Sequence, residues 1–188
     1  MEINNHLIIA LGDVASEAID QFQKNLINYM PDPEQRSFQP IRTLTLDLQT
    51  DTTQWCKLLH DNLKADYLIS AHIGGIFHIV ADLTTAGVPE AVVNLAKLLL
   101  TDPNFYMQKA ACPDEPDPWN IHHGYPCGIT LYVTGTDLSP LNANFRANRP
   151  AGLAICTFTE NPVQAIAEQL IHHIFCTPEG TTYSDLHK

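Results

Sequence analysis

A histidine and a cysteine, His72 and Cys112, are the residues whose types and positions best fit catalysis. His72 is the next-to-last residue of the apolar run ADYLISAHI, which we predict to be a strand that ends at His72. Cys112 is the last residue of the run FYMQKAAC. If both runs are strands and neighbours in a parallel sheet, their carboxyl ends lie about 5 Å apart. An imidazole there can take the proton of a thiol, which leaves the thiolate needed for nucleophilic attack.

A second histidine, His78, competes with His72 for the role of base. It lies inside the apolar run IFHIV, and such a setting predicts a partly buried side chain. We therefore rank His72 above His78 as the base.

Two clusters of histidine and cysteine indicate a different chemistry, the binding of zinc by imidazole and thiolate. Their spacing matches no standard zinc finger, and adjacent histidines on a helix point about 100° apart. A histidine near a helix end also interacts favourably with the helix dipole. We therefore predict no metal, with zinc as an open alternative. The clusters are His122, His123 and Cys127, and His172, His173 and Cys176.

The turn within ALGDVASEAID occupies the place of a phosphate-binding loop between a strand and a helix. Only Gly12 remains where such a loop has several glycines, and Asp13 would place a negative charge beside the phosphate. The sequence predicts a tight turn at Gly12, with Asp13 or Ser16 favourable near the helix start. A Rossmann-like domain with a degenerate nucleotide loop stays open as an alternative.

The hydrophobic pattern supplies the framework that must position these residues. Six apolar or alternating runs are typical of strands, at 6–11, 41–48, 65–73, 105–112, 128–134 and 152–159. Four segments with apolar residues at helical spacing predict helices at 13–30, 52–63, 89–100 and 162–175. The alternation predicts an α/β fold, a three-layer sandwich with a mostly parallel six-stranded sheet. We assign 1–176 to a single α/β domain and 177–188 to a C-terminal tail.

A strand ending in His followed by Gly, then the helix VPEAVVNLAKLL and then a strand ending in Ala-Cys together resemble the caspase-like (clan CD) cysteine peptidase fold. Caspases, metacaspases and the autoprocessing cysteine protease domains of bacterial toxins share that fold, and the resemblance covers about half of the chain. It implies that His72 is the catalytic histidine and Cys112 the nucleophile. It also implies that a backbone N–H at Gly74 or Gly75 stabilises the oxyanion.

Two departures from the family pattern favour a catalytically weakened relative as an alternative. Ile73 separates His72 from Gly74, where the family has His-Gly directly, and Pro113 supplies no N–H after Cys112. Specificity in a peptidase would come from loops after the later strands. There Asp137 would favour a basic substrate side chain, and Arg146 or Arg149 an acidic one.

Charge and composition limit the partners. Ten lysines and arginines against 21 acidic residues give a formal net charge of −11, which disfavours nucleic acid and anionic membranes. The N-terminal apolar run is too short for a signal peptide or a membrane span, so we expect a soluble, cytoplasmic protein. Five cysteines, an odd number, argue against a disulfide framework. We expect a peptide or protein substrate and no cofactor, with a non-catalytic binding or scaffolding module as the competing class.

Overall fold

Strands and helices alternate along the chain. The structure, a computed structural model, describes residues 6–34, 41–67, 76–101, 128–145 and 153–175. Within these ranges the strands are β1 (His6–Leu11), β2 (Ile41–Thr45), β3 (Ile76–Asp82), β4 (Gly128–Thr134) and β5 (Leu153–Phe158). The helices there are α1 (Asp13–Tyr29), α2 (Thr52–Tyr67), α3 (Val88–Thr101), α4 (Ser139–Phe145) and α5 (Pro162–Phe175). None of these helices is both long enough and apolar enough to cross a membrane.

The five strands form one parallel sheet in the order β2-β1-β3-β4-β5. His6, the first residue of β1, pairs with Ile41 of β2 on one side and with Ile76 of β3 on the other. Every residue of β1 is buried, as expected for a parallel strand covered on both faces. The α/β class and the parallel sheet predicted from the sequence are confirmed. The further strand predicted at 105–112 lies outside the described residues.

Helices cover both faces of the sheet because successive residues of a strand point to opposite sides. On one face, Ile8 and Tyr132 pack among buried residues of α1 and α5, such as Phe22 and Leu170. On the other face, strand residues such as Ile9 pack against α2, α3 and α4. The helix residues there include Trp55, Leu59, Leu95, Leu99, Leu141 and Phe145.

The third strand differs from the sequence prediction. We expect a strand over 65–73 from its apolar run, but α2 continues through Tyr67, so the first three residues of that run are helical. The physical reason is that apolar residues recur at every fourth position of the sequence up to Tyr67, which is the spacing of a helix and not of a strand. The described strand is β3, whose sequence IFHIVAD is rich in β-branched and aromatic residues. The remainder of the expected strand, 68–73, lies outside the described ranges.

Helix α4 is a short element that the hydrophobic pattern does not reveal. Its segment, within LSPLNANFRANRP, predicts a polar connection. Leu141 and Phe145 lie one helical turn apart and are buried in the core, so α4 is fixed by two apolar side chains. Asp137 stabilises its start, because its carboxylate accepts hydrogen bonds from the backbone N–H (2.9 Å) and the hydroxyl (2.5 Å) of Ser139.

Candidate functional site

Most of the site residues expected from the sequence lie outside the described residues, so their roles stay predictions. β3 begins at Ile76 and ends at Asp82. The residue at the carboxyl end of this strand is therefore Asp82, and the expectation that a strand ends at His72 does not apply to β3. The residues outside the described ranges are His72 and Cys112, the glycines Gly74 and Gly75, and the specificity residues Arg146 and Arg149.

Asp137, the remaining specificity residue, is exposed and lies at the start of α4. Hydrogen bonds from the side chain and backbone of Ser139 lower the pKa of its carboxyl below the ordinary value. Asp137 is therefore a helix cap in this structure, and its role in substrate specificity stays a prediction.

The carboxyl ends of β1 and β3 form a topological switch point. α1 follows β1 and packs on the face of the sheet that carries Tyr132, whereas α3 follows β3 and packs on the opposite face. The chain therefore leaves two neighbouring strands in opposite directions. In doubly wound α/β folds with this strand order, ligands bind where the connections diverge in this way.

Gly12 allows the turn from β1 into α1 to pack closely against the turn after β3. Its φ of 94° lies in the left-handed region that favours glycine. A Cβ at this position would lie 3.2 Å from the Cβ of Asp82 and 3.2 Å from Oγ1 of Thr85. The tight turn expected at Gly12 is therefore present, and the first N–H groups of α1 have no partner within the helix.

Asp82 fixes the turn after β3 by accepting four hydrogen bonds. Its Oδ1 accepts from the backbone N–H of Thr84 (3.1 Å), from the Thr84 hydroxyl (2.6 Å) and from the Thr134 hydroxyl (3.1 Å). Its Oδ2 accepts from the Thr85 hydroxyl (2.9 Å). Burial opposes ionisation, but these hydrogen bonds outweigh it and lower the pKa of Asp82. The ionised carboxylate thus ties the ends of β3 and β4 together.

In the described turns that form this switch point, the exposed charges are negative. Asp13 and Glu90 lie in the first turns of α1 and α3. The segments 12–16, 82–90 and 134–139, which follow three neighbouring strands, contain no lysine or arginine. A phosphate group would find helix N–H donors here but no cation among these segments.

A chain of hydrogen-bonded side chains lies on the face of the sheet that packs against α1 and α5. Nδ1 of His6 lies 2.8 Å from Nε2 of His78, and Nδ1 of His78 lies 2.9 Å from the hydroxyl of Tyr132. The same hydroxyl lies 2.5 Å from Nδ1 of His173, whose Nε2 lies 2.7 Å from Nε2 of Gln169. These five residues, the buried histidine chain, join three strands to α5.

The buried histidine chain has a consistent direction of hydrogen bonding. Gln169 donates to Nε2 of His173, and Nδ1–H of His173 donates to the hydroxyl of Tyr132. Tyr132 then donates to Nδ1 of His78, and Nε2–H of His78 donates to His6. Every ring can be neutral in this arrangement.

Burial favours the neutral form of two rings of this chain, His6 and His78. It lowers the pKa of His6 to about 4. Burial, together with the neighbouring imidazoles of His6 and His173, lowers the pKa of His78 well below its ordinary value. His78 is fully buried, whereas the sequence predicts partial burial. In the described structure it is therefore a structural member of the buried histidine chain.

The buried histidine chain is not among the features that the sequence predicts. The available signal was a histidine inside an apolar strand, since a buried imidazole must find hydrogen-bond partners. The positions of the described side chains also bear on the alternative of a zinc site. His173 is bonded to Tyr132, whereas the neighbouring His172 is exposed. Within the described ranges no group of three or more histidine, cysteine, aspartate or glutamate residues could hold a metal, and the remaining candidates lie outside them: His122, His123, Cys127 and Cys176.

A groove with a volume of about 710 Å³ opens between α1 and α5. Gln169, at one end of the buried histidine chain, contributes to its lining, so the chain connects the sheet interior to this surface. The amide and aromatic side chains of the lining are Asn25, Asn28, Gln164, Gln169, Tyr29 and Phe158.

Comparisons with known proteins add no relative to this description. The chain matches no family model, no curated protein and no solved structure. The fold and the switch point by themselves define the class, a parallel, doubly wound α/β domain.

Proposed function

We propose that this chain is a ligand-binding α/β domain of the Rossmann-like type, with its site at the switch point between β1 and β3. The observation that carries the proposal is the departure of α1 and α3 to opposite faces of the sheet. In open parallel sheets, connections that diverge in this way leave a crevice at the carboxyl edge, and ligands bind in that position.

The rigidity of the two turns supports a preformed site. Asp82 holds Thr84, Thr85 and Thr134 through its hydrogen bonds, and Gly12 packs against Asp82 and Thr85. Turns that are already ordered lose little conformational entropy when a ligand binds.

The charges near the switch point favour a neutral ligand with hydroxyl groups, such as a nucleoside, over a nucleotide. Asp13 and Glu90 would repel a phosphate, and the segments around them supply no cation. A carboxylate accepts hydrogen bonds from sugar hydroxyls, as the acidic residue that binds ribose does in dinucleotide-binding folds.

Paired nucleosides and nucleotides test this proposal through the melting temperature of the protein. We expect adenosine or guanosine to raise the Tm more than ATP or GTP does. Asp13→Lys should reverse that preference, because it places a cation at the first turn of α1. Asp20→Lys, an exposed change on the same helix, is the matched control and should leave the preference unchanged. Absence of any shift with nucleosides, or a preference of the unchanged protein for nucleotides, would overturn the proposal.

A caspase-like cysteine peptidase, with His72 as base and Cys112 as nucleophile, is the second candidate. The observation that favours it is α3 (Val88–Thr101), which lies between these two residues as the family pattern expects. Against it, β3 also lies between them, and this strand ends at Asp82. This candidate further needs a sixth strand ending at Cys112 and a backbone donor at Gly74 or Gly75.

Thiol labelling separates the peptidase from a binding module. In a peptidase, Cys112 reacts with iodoacetamide faster than the half-buried Cys56, because a histidine base raises the thiolate fraction. His72→Ala should then slow the labelling of Cys112 and leave that of Cys56 unchanged. Equal reactivity of the two thiols, unaffected by His72→Ala, would eliminate the dyad.

A further inference from the structure

The groove between α1 and α5 has the dimensions of a small-molecule site. Its volume of about 710 Å³ lies within the usual range for ligand pockets. It is lined by helix side chains and by Phe158 at the end of β5, which places it apart from the switch-point turns. We infer that this groove is a second binding site, which takes a neutral saccharide.

The amide side chains of the lining match the hydrogen bonding of sugar hydroxyls. The Nε2 of Gln21 donates to the carbonyl oxygen of Asn25 (2.9 Å), so the two N–H donors of Asn25 are left for a ligand. The Nε2 of Gln164 donates to Glu168 (2.5 Å), so the carbonyl oxygen of Gln164 is left as an acceptor. A hydroxyl group both donates and accepts, and it can use both kinds of partner.

Aromatic rings in the lining provide the flat apolar surface on which a sugar ring packs. Tyr29 is 57% exposed although it is a large side chain. Its ring stacks on Phe175, with centroids 5.8 Å apart and planes 15° apart, so the exposed ring is held in one orientation. Phe158 is likewise stacked, on Tyr132 at 6.2 Å. Aromatic rings with a polar edge suit ligands that have both apolar and polar faces.

The charges of the groove disfavour the other common ligand classes. In the described part of the chain no lysine or arginine lines the groove; its ionisable side chains there are the carboxylate of Glu168, which is hydrogen-bonded to Gln164, and the imidazole of His172. Among these described residues a phosphorylated ligand would meet the negative charge of Glu168 and no arginine or lysine to bind its phosphate. A lipid chain would have to desolvate several amides without hydrogen bonds in return.

Gln169 gives the groove a fixed polar group. Its Nε2 donates to His173, which is held in turn by Tyr132. The amide is thereby oriented by the buried histidine chain, and its carbonyl oxygen is the group that a ligand can use. A polar group ordered before binding costs less entropy than a free surface side chain.

Titration with neutral sugars tests this inference. Saturation-transfer NMR with glucose, galactose, mannose, N-acetylglucosamine and their disaccharides should detect binding of at least one. Tyr29→Ala and Gln164→Ala should each raise the Kd for the sugar about tenfold, which corresponds to a loss of about 1.4 kcal/mol in the free energy of binding. Ile27→Ala removes a side chain that is 51% exposed on the same helix and lies outside the lining, so this control should bind as the unchanged protein does.

A variant that fills the groove keeps the test decisive. Ala165 is half-buried and belongs to the lining, and Ala165→Trp should abolish sugar binding while nucleoside-dependent changes in Tm persist. Circular dichroism verifies that each variant is folded. The inference is overturned when no sugar binds, when binding survives Ala165→Trp, or when Ile27→Ala weakens it as much as Tyr29→Ala.

Discussion

Two hydrogen-bonded clusters are buried on the same face of the sheet, and they differ in charge. At the carboxyl edge, the carboxylate of Asp82 is surrounded by donors from Thr84, Thr85 and Thr134. Nearer the amino ends of β1 and β3, the buried histidine chain consists of neutral rings, a hydroxyl and an amide. Donors that converge on one carboxylate stabilise its negative charge, whereas buried rings that are hydrogen-bonded in series favour their neutral forms.

This difference separates the two clusters by the pH at which each loses its contribution to stability. The pKa of the His6 imidazole is lowered in the folded state, so its contribution is complete above the unfolded value of 6.5 and declines as the pH falls toward 4. The pKa of Asp82 is lowered from 3.8, so its contribution is complete above that value and is lost only in stronger acid. Acid therefore acts on the histidine chain first.

The largest expected effect is a loss of stability between pH 7.5 and pH 4.5. The unfolded chain binds a proton at His6 near pH 6.5 and the folded chain near pH 4, so unfolding takes up protons in this window. The shift at His6 alone corresponds to about 3 kcal/mol, and the lowered pKa of His78 adds to it. Urea unfolding followed by circular dichroism at several pH values measures the change.

Two histidine variants check the origin of this pH dependence. His6→Gln should flatten the profile between pH 6.5 and 4.5, because it removes one of the titrating rings. His172→Gln, at the exposed neighbour of the chain, should leave the profile unchanged. A flat profile for the unchanged protein would contradict the assignment of neutral rings.

A smaller loss is expected from Tyr132→Phe, which removes the hydroxyl between two rings. Nδ1 of His78 and Nδ1 of His173 each lose a buried partner, and we expect a loss of about 2 kcal/mol in the free energy of unfolding. Tyr29→Phe removes a hydroxyl from a ring that is 57% exposed and should change the stability little. Urea unfolding at pH 7.5 compares the two, and equal values would argue against an energetic role for the chain.

The smallest of the three effects is expected from Asp82→Asn, which keeps the shape of the side chain and removes its charge. Four donors then meet a neutral amide, and we expect a loss of about 1.5 kcal/mol at pH 7. In thermal denaturation, Asp82→Asn should lower the Tm more than Asp137→Asn does, because Asp137 is an exposed helix cap. Asp82→Asn should leave the pH dependence of the free energy of unfolding between pH 6.5 and 4.5 unchanged. A change there would mean that the two clusters are coupled.

Local patterns of the sequence were sufficient to predict much of the fold. β1 and α1 follow from a short apolar run and from apolar residues at helical spacing, of which Ala18, Ile19 and Phe22 are buried. The first three residues of the third predicted strand were assigned wrongly, because apolar residues at the end of α2 also fit a strand. α4 was missed because Leu141 and Phe145 form too short a periodic pattern to detect.

The polar clusters could not be predicted in the same way, because their partners are brought together only by the register of the sheet. His6 and His78 are 72 positions apart in sequence, and His78 and Tyr132 are 54 apart. The acidic turns near the switch point were visible as Asp13 beside Gly12, but their position relative to Asp82 depends on the strand order. The expected pair His72 and Cys112 rests on such a long-range assumption and stays a prediction.

The serial arrangement of the buried histidine chain has a consequence for how this sequence can diverge. Each inner member of the chain both donates and accepts a hydrogen bond. An apolar substitution at one of them therefore leaves a buried polar group without its partner on either side. A descendant that loses Tyr132 gains by also losing His78 and His173, whereas any one of these losses alone is selected against. We therefore expect related sequences either to keep all members of the buried histidine chain or to replace them together, although these residues lie on three strands and a helix.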